Sequence, residues 1–435
     1  MDSTIKSLSV RDIRFPTSRT LVGSDATNKD PDYSAAYLQL ECADGSRGYG
    51  LIFTIGRGND LCCAAIRAMR HLVVGRSLDG ITNDLGAYCE FLRSDSQLRW
   101  LGPEKGVVHM AAGCIINAIW DLWARREQTP VWRLACGLSP EHFVASTDLR
   151  YMSDVLSRDQ ALDIVRGNAP TRAERIAILE AGGYPAYTTS AGWLGYDVDK
   201  LRQLCREAVA GGFKSIKLKV GQNLAEDIRR MRIARETVGD DIRLMIDANQ
   251  TWEVDEAIRW VNALSEYKPA FIEEPTSPDD VLGHLKIKRG LNGIGVASGE
   301  HCPNRIVFKQ FIESGALDIV QVDACRMGGL SEMLSVGLVA AKFDKPVWPH
   351  AGGVGLCEYV QHYSMIDYVM LSATLEGRSV EYVDHLHEHF EDPCVIRGGA
   401  YLPPAQPGFS IKMLDASLDH YEYPRGEAWH AVMHG

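Results

Sequence analysis

The chain has 435 residues, of which 46% are hydrophobic and 24% charged, and a formal net charge of −11. This composition is typical of a globular protein of about two domains, and the acidic balance argues against nucleic acid or an anionic membrane as a partner. The first residues show no apolar core, so we expect no signal peptide, and no apolar run approaches membrane-spanning length. The eleven cysteines include no CxxC pair, so we expect reduced thiols in a cytoplasmic protein instead of disulfides or a zinc site.

The N-terminal part of the chain predicts an α+β domain, which we place at residues 1–135. Strands are indicated at 5–15 and 35–54, with a turn at 43–46 and a polar loop at 17–33. Helices are predicted near 59–76, 81–94 and 106–126. Because this unit is too short to form a barrel, we interpret it as a separate cap.

Residues 136–185 carry helical periodicity around 161–165 and 172–181 but no chemical motif. We interpret them as a connecting or inserted segment. The stretch 186–190, which lies 29 residues before Lys219, is predicted to be the first strand of the next domain.

From residue 186 to residue 385, short apolar runs repeatedly end in one polar residue. The polar residues that end these runs, spaced 23 to 31 positions apart, are Lys219, Asp247, Glu273, Glu300, Asp323, His350 and Glu381. Each step has room for one strand, one loop and one helix, and a continuous apolar run is typical of a strand buried in a parallel sheet. Only a closed barrel brings so many strand ends around one centre, so we predict a barrel and not an open sheet. The loop-rich segment 386–435 is expected to pack back on the cap.

Three carboxylates end successive runs of this barrel. Asp247, Glu273 and Glu300 would repel each other strongly unless a cation lay among them. Oxygen ligands without a neighbouring His or Cys favour Mg2+ over Mn2+ or Ca2+. The alternative is that each is a solvated residue at the end of a strand.

Two lysines and one histidine are the candidate acid–base groups. Lys217 and Lys219 share one face of a strand, and two adjacent ammonium groups are expected to lower the pKa of at least one of them. His350 lies on the opposite wall, where Asp323, one strand earlier, is placed to hold its ring. The alternatives are surface lysines and a structural histidine.

These groups define a class of reaction. A metal ion would neutralise a substrate carboxylate, and a lysine would remove the adjacent proton. If the imidazole then protonates a neighbouring hydroxyl, water is lost. If it returns a proton to the same carbon, the product is the epimer.

The whole pattern resembles the enolase superfamily in its mandelate-racemase-like branch, for which Mg2+ with a Lys or His base is a known arrangement. Within that branch, the stretches that resemble dehydratases of L-fuconate are 14–18, 30–34, 100–106, 186–190, 247–250, 273–280, 349–355 and 381–385. The resemblance covers nearly the whole chain and implies an α/β fold, a modified TIM barrel of the (β/α)7β type with an N-terminal α+β capping domain.

The resemblance also implies roles for individual residues. One Mg2+ would be held by Asp247, Glu273 and Glu300. Lys219 would be the base, and His350, backed by Asp323, the acid, with Lys217 as a further catalytic group. The residues implied to bind the substrate are Gly23, Ser24, Asp25, Tyr33, Lys217, Asn249, Glu300, His350 and Glu381.

The expected activity is therefore that of a hydro-lyase acting on a small acid sugar, with L-fuconate as the expected substrate. Another acid sugar of the same configuration, or epimerisation, is the alternative within the same chemistry. A non-catalytic binding or regulatory barrel is the alternative of a different class. A homo-oligomer is a further expectation that the resemblance implies.

Overall fold

The computed structural model describes residues 2–20, 23–102 and 104–430 and contains two sheets. The small antiparallel sheet has the strands Ile5–Arg14, Ser34–Cys42 and Arg47–Thr54 in chain order, with the predicted turn between the last two. Residues 21–22 of the predicted loop, residue 103 of the stretch 100–106, and residues 1 and 431–435 of the predicted domains lie outside the described residues.

Helices cover this sheet. A short 3-10 turn at Thr17–Arg19 precedes the helices Asn59–Ala68, Arg70–Val73, Leu78–Asn83, Leu85–Leu92, Leu98–Leu101 and Gly106–Arg126. The last helix lies so close to the sheet that a Cβ atom on Gly50 would come within 2.5 Å of the Cys114 carbonyl. Glycine in the strand therefore permits this approach.

Helix Gly106–Arg126 corrects one sequence expectation, because by length and composition alone it could cross a membrane. Its most apolar window is 89% buried inside the protein. The helix is apolar on all sides because it packs between the small sheet and the barrel, where Asn117 Nδ2 donates to the Ala324 carbonyl at 3.0 Å and Trp120 Nε1 donates to Ser331 Oγ at 3.1 Å.

The segment predicted to be a connection is helical. Its helices are Val131–Gly137, Pro140–Ala145, Arg158–Asn168 and Arg172–Gly182, with a 3-10 turn at Ala169–Thr171. Arg175 joins the last of these helices to the barrel by donating from Nη2 to the Val369 carbonyl at 2.8 Å.

The second sheet forms the barrel. Its parallel strands are Tyr184–Thr188, Ser215–Lys219, Arg243–Asp247, Phe271–Glu273, Gly295–Ser298, Ile319–Val320 and Val380–Tyr382. The helices that follow the first six of these strands in turn are Val198–Ala210, Leu224–Val238, Val254–Ala263, Val281–Gly290, Arg305–Glu313 and Leu330–Lys342. Helix Leu356–Ile366 precedes the last strand. Shorter helical turns at Ser265–Tyr267 and Asp367–Ser372 complete the domain.

A single residue pair stands in for the seventh strand. Val347 forms a parallel bridge with Val320, and the amide of Glu381 donates to the Pro349 carbonyl at 3.2 Å. Val380 then pairs with Ala186, so eight parallel segments close around one axis. This is the predicted (β/α)7β barrel with an α+β cap.

The C-terminal segment returns to the cap. Short strands at Ile396–Arg397 and Ala400–Tyr401, a 3-10 turn at His387–His389, and helices at Asp415–Tyr421 and Glu427–His430 make up this part. The amide of Tyr423 donates to the Asp12 carbonyl at 2.8 Å, and Trp429 Nε1 donates to the Arg14 carbonyl at 3.1 Å. The domain limits at 135, 185 and 385 stay predictions.

Candidate active site

The three carboxylates come together at the C-terminal ends of neighbouring barrel strands. Asp247 and Glu273 are register partners, and both are fully buried, while Glu300 is 8% exposed. One oxygen from each lies within 4.8 Å of the others. Among the described residues, no donor is hydrogen-bonded to Glu300 Oε2. Three buried carboxylates with an unpartnered oxygen fit a hard divalent cation such as Mg2+.

The two lysines of the second barrel strand contact these carboxylates. Lys219 Nζ lies 2.6 Å from Asp247 Oδ2, its neighbour on the next strand. Lys217 Nζ donates to both oxygens of Glu273 at 2.8 Å and lies 3.0 Å from Glu381 Oε1. The ammonium groups therefore offset much of the negative charge in the cluster.

The sequence expectation of a lowered lysine pKa is wrong for this arrangement. Burial and the repulsion from Lys217 act to lower the pKa of Lys219, but Asp247, Asp25 and Glu300 together raise it. Burial likewise acts to lower the pKa of Lys217, and Glu273 and Glu381 raise it well above its usual value. Ion pairing across the strands dominates because the carboxylates lie nearer to each ammonium than the sequence alone reveals.

His350 and Asp323 form the predicted pair. His350 Nδ1 donates to Asp323 Oδ2 at 2.7 Å. The other oxygen of Asp323 accepts the backbone N–H groups of Cys325 at 2.7 Å and Arg326 at 2.8 Å, which fix the carboxylate. His350 Nε2 then faces Glu300 Oε2 at 3.4 Å. Burial acts to lower the pKa of His350, but Glu300 and the bond to Asp323 raise it to about 10.

Glu381 joins the last barrel segment to the site. Its Oε2 accepts the Ala351 amide at 2.9 Å and lies 3.8 Å from His350 Nε2, while its Oε1 accepts from Thr189 Oγ1. Burial acts to raise the pKa of Glu381, but Lys217 and His350 lower it to about 2. Glu381 is thus a buried, charged carboxylate at the point where the barrel closes.

The cap loop reaches the barrel on this side. Thr27 Oγ1 donates to the Asn249 carbonyl at 2.6 Å, and Asn249 itself adopts a left-handed conformation with φ 46°. Asp25 organises the loop by accepting the amides of Thr27 at 2.8 Å and Asn28 at 2.6 Å. Asn249 Oδ1 is buried and has no partner among the described residues.

A cavity of about 310 Å³ lies between the cap and these strand ends. The predicted site residues that line it are Gly23, Asp25, Tyr33, Lys219, Asn249, Glu300, Asp323, His350 and Glu381. Lys217, Asp247, Glu273 and Ser24 are buried and do not line it. Gly23 has φ +81°, and a Cβ atom there would lie 2.1 Å from the Tyr33 hydroxyl, so only glycine fits this approach.

Several lining residues were missed from the sequence. His301 Nδ1 lies 2.9 Å from Glu274 Oε1 and 3.2 Å from Glu300 Oε1, so it holds one metal-ligand candidate in place. Its position directly after Glu300 was the available signal. Trp193, whose ring centre lies 5.5 Å from Lys219 Nζ, sits in a loop that carried no signal.

Comparisons with known proteins identify the family of this chain. A family model described as enolase C-terminal domain-like matches residues 200–417. Mitochondrial enolase superfamily member 1 of Homo sapiens is 49% identical over 433 residues, 99% of this chain and 98% of that protein. L-galactonate dehydratase of Hypocrea jecorina is 51% identical over 433 residues, 98% of this chain and 96% of that enzyme.

Comparison with solved structures gives the same family. The crystal structure of the human protein superposes with a TM-score of 0.98 at 48% identity, covering 100% of this chain and 99% of that chain. A racemase from Streptomyces coelicolor A3(2) with bound magnesium has a TM-score of 0.75 at 25% identity, covering 96% of this chain and 99% of that chain.

The chain therefore belongs to the enolase superfamily and has the fold of its mandelate-racemase-like enzymes. Its relatives include acid-sugar dehydratases, and enzymes of this superfamily use Mg2+. The predicted family and fold class are confirmed.

Proposed function

We propose that this enolase-superfamily enzyme is an Mg2+-dependent acid-sugar dehydratase that converts L-fuconate to 2-keto-3-deoxy-L-fuconate and water. One observation carries the proposal. Three buried carboxylates converge within 4.8 Å, with the Lys219 ammonium bonded to Asp247 on one flank and the His350 imidazole facing Glu300 on the other. A base and an acid on opposite sides of a metal site suit removal of a proton and of a hydroxyl from adjacent carbons.

Asp247, Glu273 and Glu300 are the proposed ligands of the metal. When bound, Mg2+ would offset the charge of the substrate carboxylate and acidify the C2–H bond beside it. Asn249 and Glu381 would orient the substrate. Lys217 would offset the charge of the enediolate from the side of the carboxylates.

Lys219 is the proposed base. Its Nζ would take the proton from C2, leaving the electron pair in the enediolate. As a metal ligand, Asp247 would give less of its charge to the ammonium, which removes the main cause of the raised pKa of Lys219.

His350 is the proposed acid. Asp323, which accepts from Nδ1, acts to raise the pKa of His350, so it favours the protonated imidazole also when Glu300 binds the metal, and Nε2 is the nitrogen that faces Glu300. Nε2 would give this proton to the C3 hydroxyl as the C3–O bond breaks and water leaves. The electron pair from C2 forms a C2–C3 double bond, and the resulting enol becomes the 2-keto acid. Asp323 holds the ring throughout.

The cap loop is proposed to bind the distal hydroxyls through Gly23, Asp25 and Tyr33, which line the cavity, with the buried Ser24 between them in the loop. The cavity is also lined by Phe53, Val107 and Met110. These apolar side chains suit the methyl group at C6 of L-fuconate.

L-galactonate is the second candidate substrate, because the relative from Hypocrea jecorina is named for it. The two acids share their configuration and differ only in a hydroxyl at C6. The same catalytic groups would therefore act on both, and the lining of the cavity would decide between them.

The test incubates the purified protein with Mg2+ and a panel of acid sugars that includes both candidates. Formation of 2-keto acid is followed by the semicarbazide reaction, and kcat/KM is compared among substrates. L-fuconate as the best substrate supports the proposal. A preference for L-galactonate moves the substrate assignment. No product from any acid sugar would favour a binding protein.

We further propose a cytoplasmic location and a homo-oligomer. All eleven cysteines are free and buried, which fits a reducing compartment. Cell fractionation tests the location, and light scattering of the purified protein tests the assembly.

A further inference from the structure

A cluster of soft metal ligands lies outside the catalytic cavity. Cys357 is distant in the sequence from His387 and Cys394, yet one ligand atom from each of the three lies within 4.8 Å of the others. Cys394 Sγ is 3.6 Å from His387 Nδ1. Zinc–sulfur and zinc–nitrogen bonds in a tetrahedron place their two ligand atoms about 3.6 Å apart, so this pair already has the required separation.

A buried carboxylate lies beside them. Glu358 is fully buried, and its Oε1 lies 2.7 Å from His387 Nδ1. Its Oε2 is buried with no hydrogen-bond partner among the described residues. Burying a carboxylate oxygen without a partner is costly, and a cation would satisfy it.

The histidine is held as a metal ligand requires. Its Nε2 lies 2.8 Å from the Val383 carbonyl, which can accept the Nε2–H. Its Nδ1 faces Glu358 Oε1 and Cys394 Sγ, and a metal ion bound there would replace the contact between Nδ1 and Glu358. The Tyr382 ring stacks on the imidazole at 5.4 Å with an interplanar angle of 6°. A hydrogen bond from the second ring nitrogen to a carbonyl is the usual support of a metal-bound histidine.

We propose that Cys357, His387 and Cys394, with Glu358 as fourth ligand, form a structural zinc site separate from the catalytic centre. Thiolate and imidazole ligands favour Zn2+ over Mg2+. Two thiolates and one carboxylate around Zn2+ give the same net charge as a Cys3His site.

The site would tie together two segments that carry the proposed catalytic groups. Cys357 is the second residue of helix Leu356–Ile366, which follows His350, and its Sγ lies 3.6 Å from the Ala351 carbonyl. His387 and Cys394 lie on the segment that follows Glu381. Zinc would therefore fix the last two barrel segments relative to each other.

Titration of the protein with metal ions tests this site. The full-length protein, stripped with a chelator and kept in excess Mg2+ to fill the oxygen-ligand site, is titrated with Co2+ and then with Zn2+. We expect one equivalent of Co2+ to give the thiolate-to-cobalt charge-transfer and tetrahedral absorption bands, and Zn2+ to displace it. Absence of these bands would overturn the proposal.

Variants of single cysteines show which residues bind the metal ion. Cys394→Ala and Cys357→Ala are expected to weaken Co2+ binding by at least about 100-fold. Cys205→Ala removes a buried cysteine on another barrel helix and should bind as the parent does. Cys394→His replaces the sulfur ligand by a nitrogen ligand. It should retain Co2+ binding even if the alanine variant folds poorly. Bands that persist in both alanine variants contradict the assignment.

A Cys357–Cys394 disulfide in the metal-free protein, found by mass spectrometry together with no metal uptake, would make the pair a redox couple instead.

Discussion

The His350 imidazole donates from Nδ1 to Asp323 Oδ2 at 2.7 Å, so its other nitrogen is directed at Glu300. The two residues lie on neighbouring segments of the barrel, and the direction of the ring therefore depends on a carboxylate that holds it from behind. This dependence can be measured.

Asp323→Asn should lower kcat by about 100- to 10,000-fold with little change in KM, because the amide favours the wrong imidazole tautomer while the cavity is unchanged. Kinetics on the best acid sugar and Mg2+ binding are the measurements. Asp318→Asn, at a half-exposed carboxylate paired with Lys288, is the control and should behave as the parent does. A rise in KM as large as the fall in kcat, or a loss of metal binding, would show that Asp323 also maintains the structure of the substrate and metal sites.

Lys219→Met and His350→Asn should separate the two steps. In deuterated water, the histidine variant should still exchange the C2 proton of the substrate while losing dehydration, because the base is intact. The lysine variant should lose both. Proton NMR of the substrate measures the exchange, and exchange by Lys219→Met would give the base role to another group.

Glu273→Gln should weaken Mg2+ binding by at least about 100-fold, because it removes a charged oxygen ligand at constant shape. Isothermal titration with Mg2+ gives the affinity. Glu266→Gln, at an exposed position, is the matched control. Unchanged affinity in Glu273→Gln would remove this residue from the ligand set.

Gly113→Ala should destabilise the protein by about 1–3 kcal/mol. A Cβ atom at Gly113 would lie 2.1 Å from the Met327 carbonyl, so the core helix would have to move away from the barrel. Gly167→Ala lies on an exposed helix with nothing near the added carbon and should stabilise by about 0.5–1 kcal/mol. Urea unfolding gives the free energy of unfolding of both variants. The prediction is contradicted if this free energy changes in the same direction in both.

His362 should make the protein sensitive to acid. Burial lowers its pKa from 6.5 to about 3, so the folded state holds it neutral while the unfolded state takes up a proton below 6.5. The stability it contributes is fully present above pH 6.5 and is lost as the pH falls toward 3, by roughly 5 kcal/mol at most. His362→Asn keeps an acceptor for the Trp132 amide, which now donates to Nδ1 at 3.2 Å, and should flatten this dependence. His71→Gln, at an exposed histidine, should leave it unchanged.

The sequence predicted the positions of the candidate residues at the strand ends because each candidate ends an apolar run. A residue at the end of a buried parallel strand has its position set by the sheet, so Asp247 and Glu273 were placed together without coordinates. The first barrel strand begins at Tyr184, two residues before the predicted stretch.

Other features could not be predicted because they depend on distances through space. A lowered pKa was expected for at least one of Lys217 and Lys219, but the surrounding carboxylates raise the pKa of both. His387 and Cys394 have no motif spacing with Cys357, and only the closed barrel brings them together.

The amide of Glu381 donates to the Pro349 carbonyl, and Glu381 lies in the last barrel strand of the chain, Val380–Tyr382. A chain that ended at residue 370 would lack Val380, which pairs with Ala186, and Glu381, which lies 3.0 Å from Lys217 Nζ. The barrel and the candidate site would therefore both stay incomplete until the last barrel segment is added. A protein truncated before Val380 should bind chaperones through its open edge instead of turning over substrate.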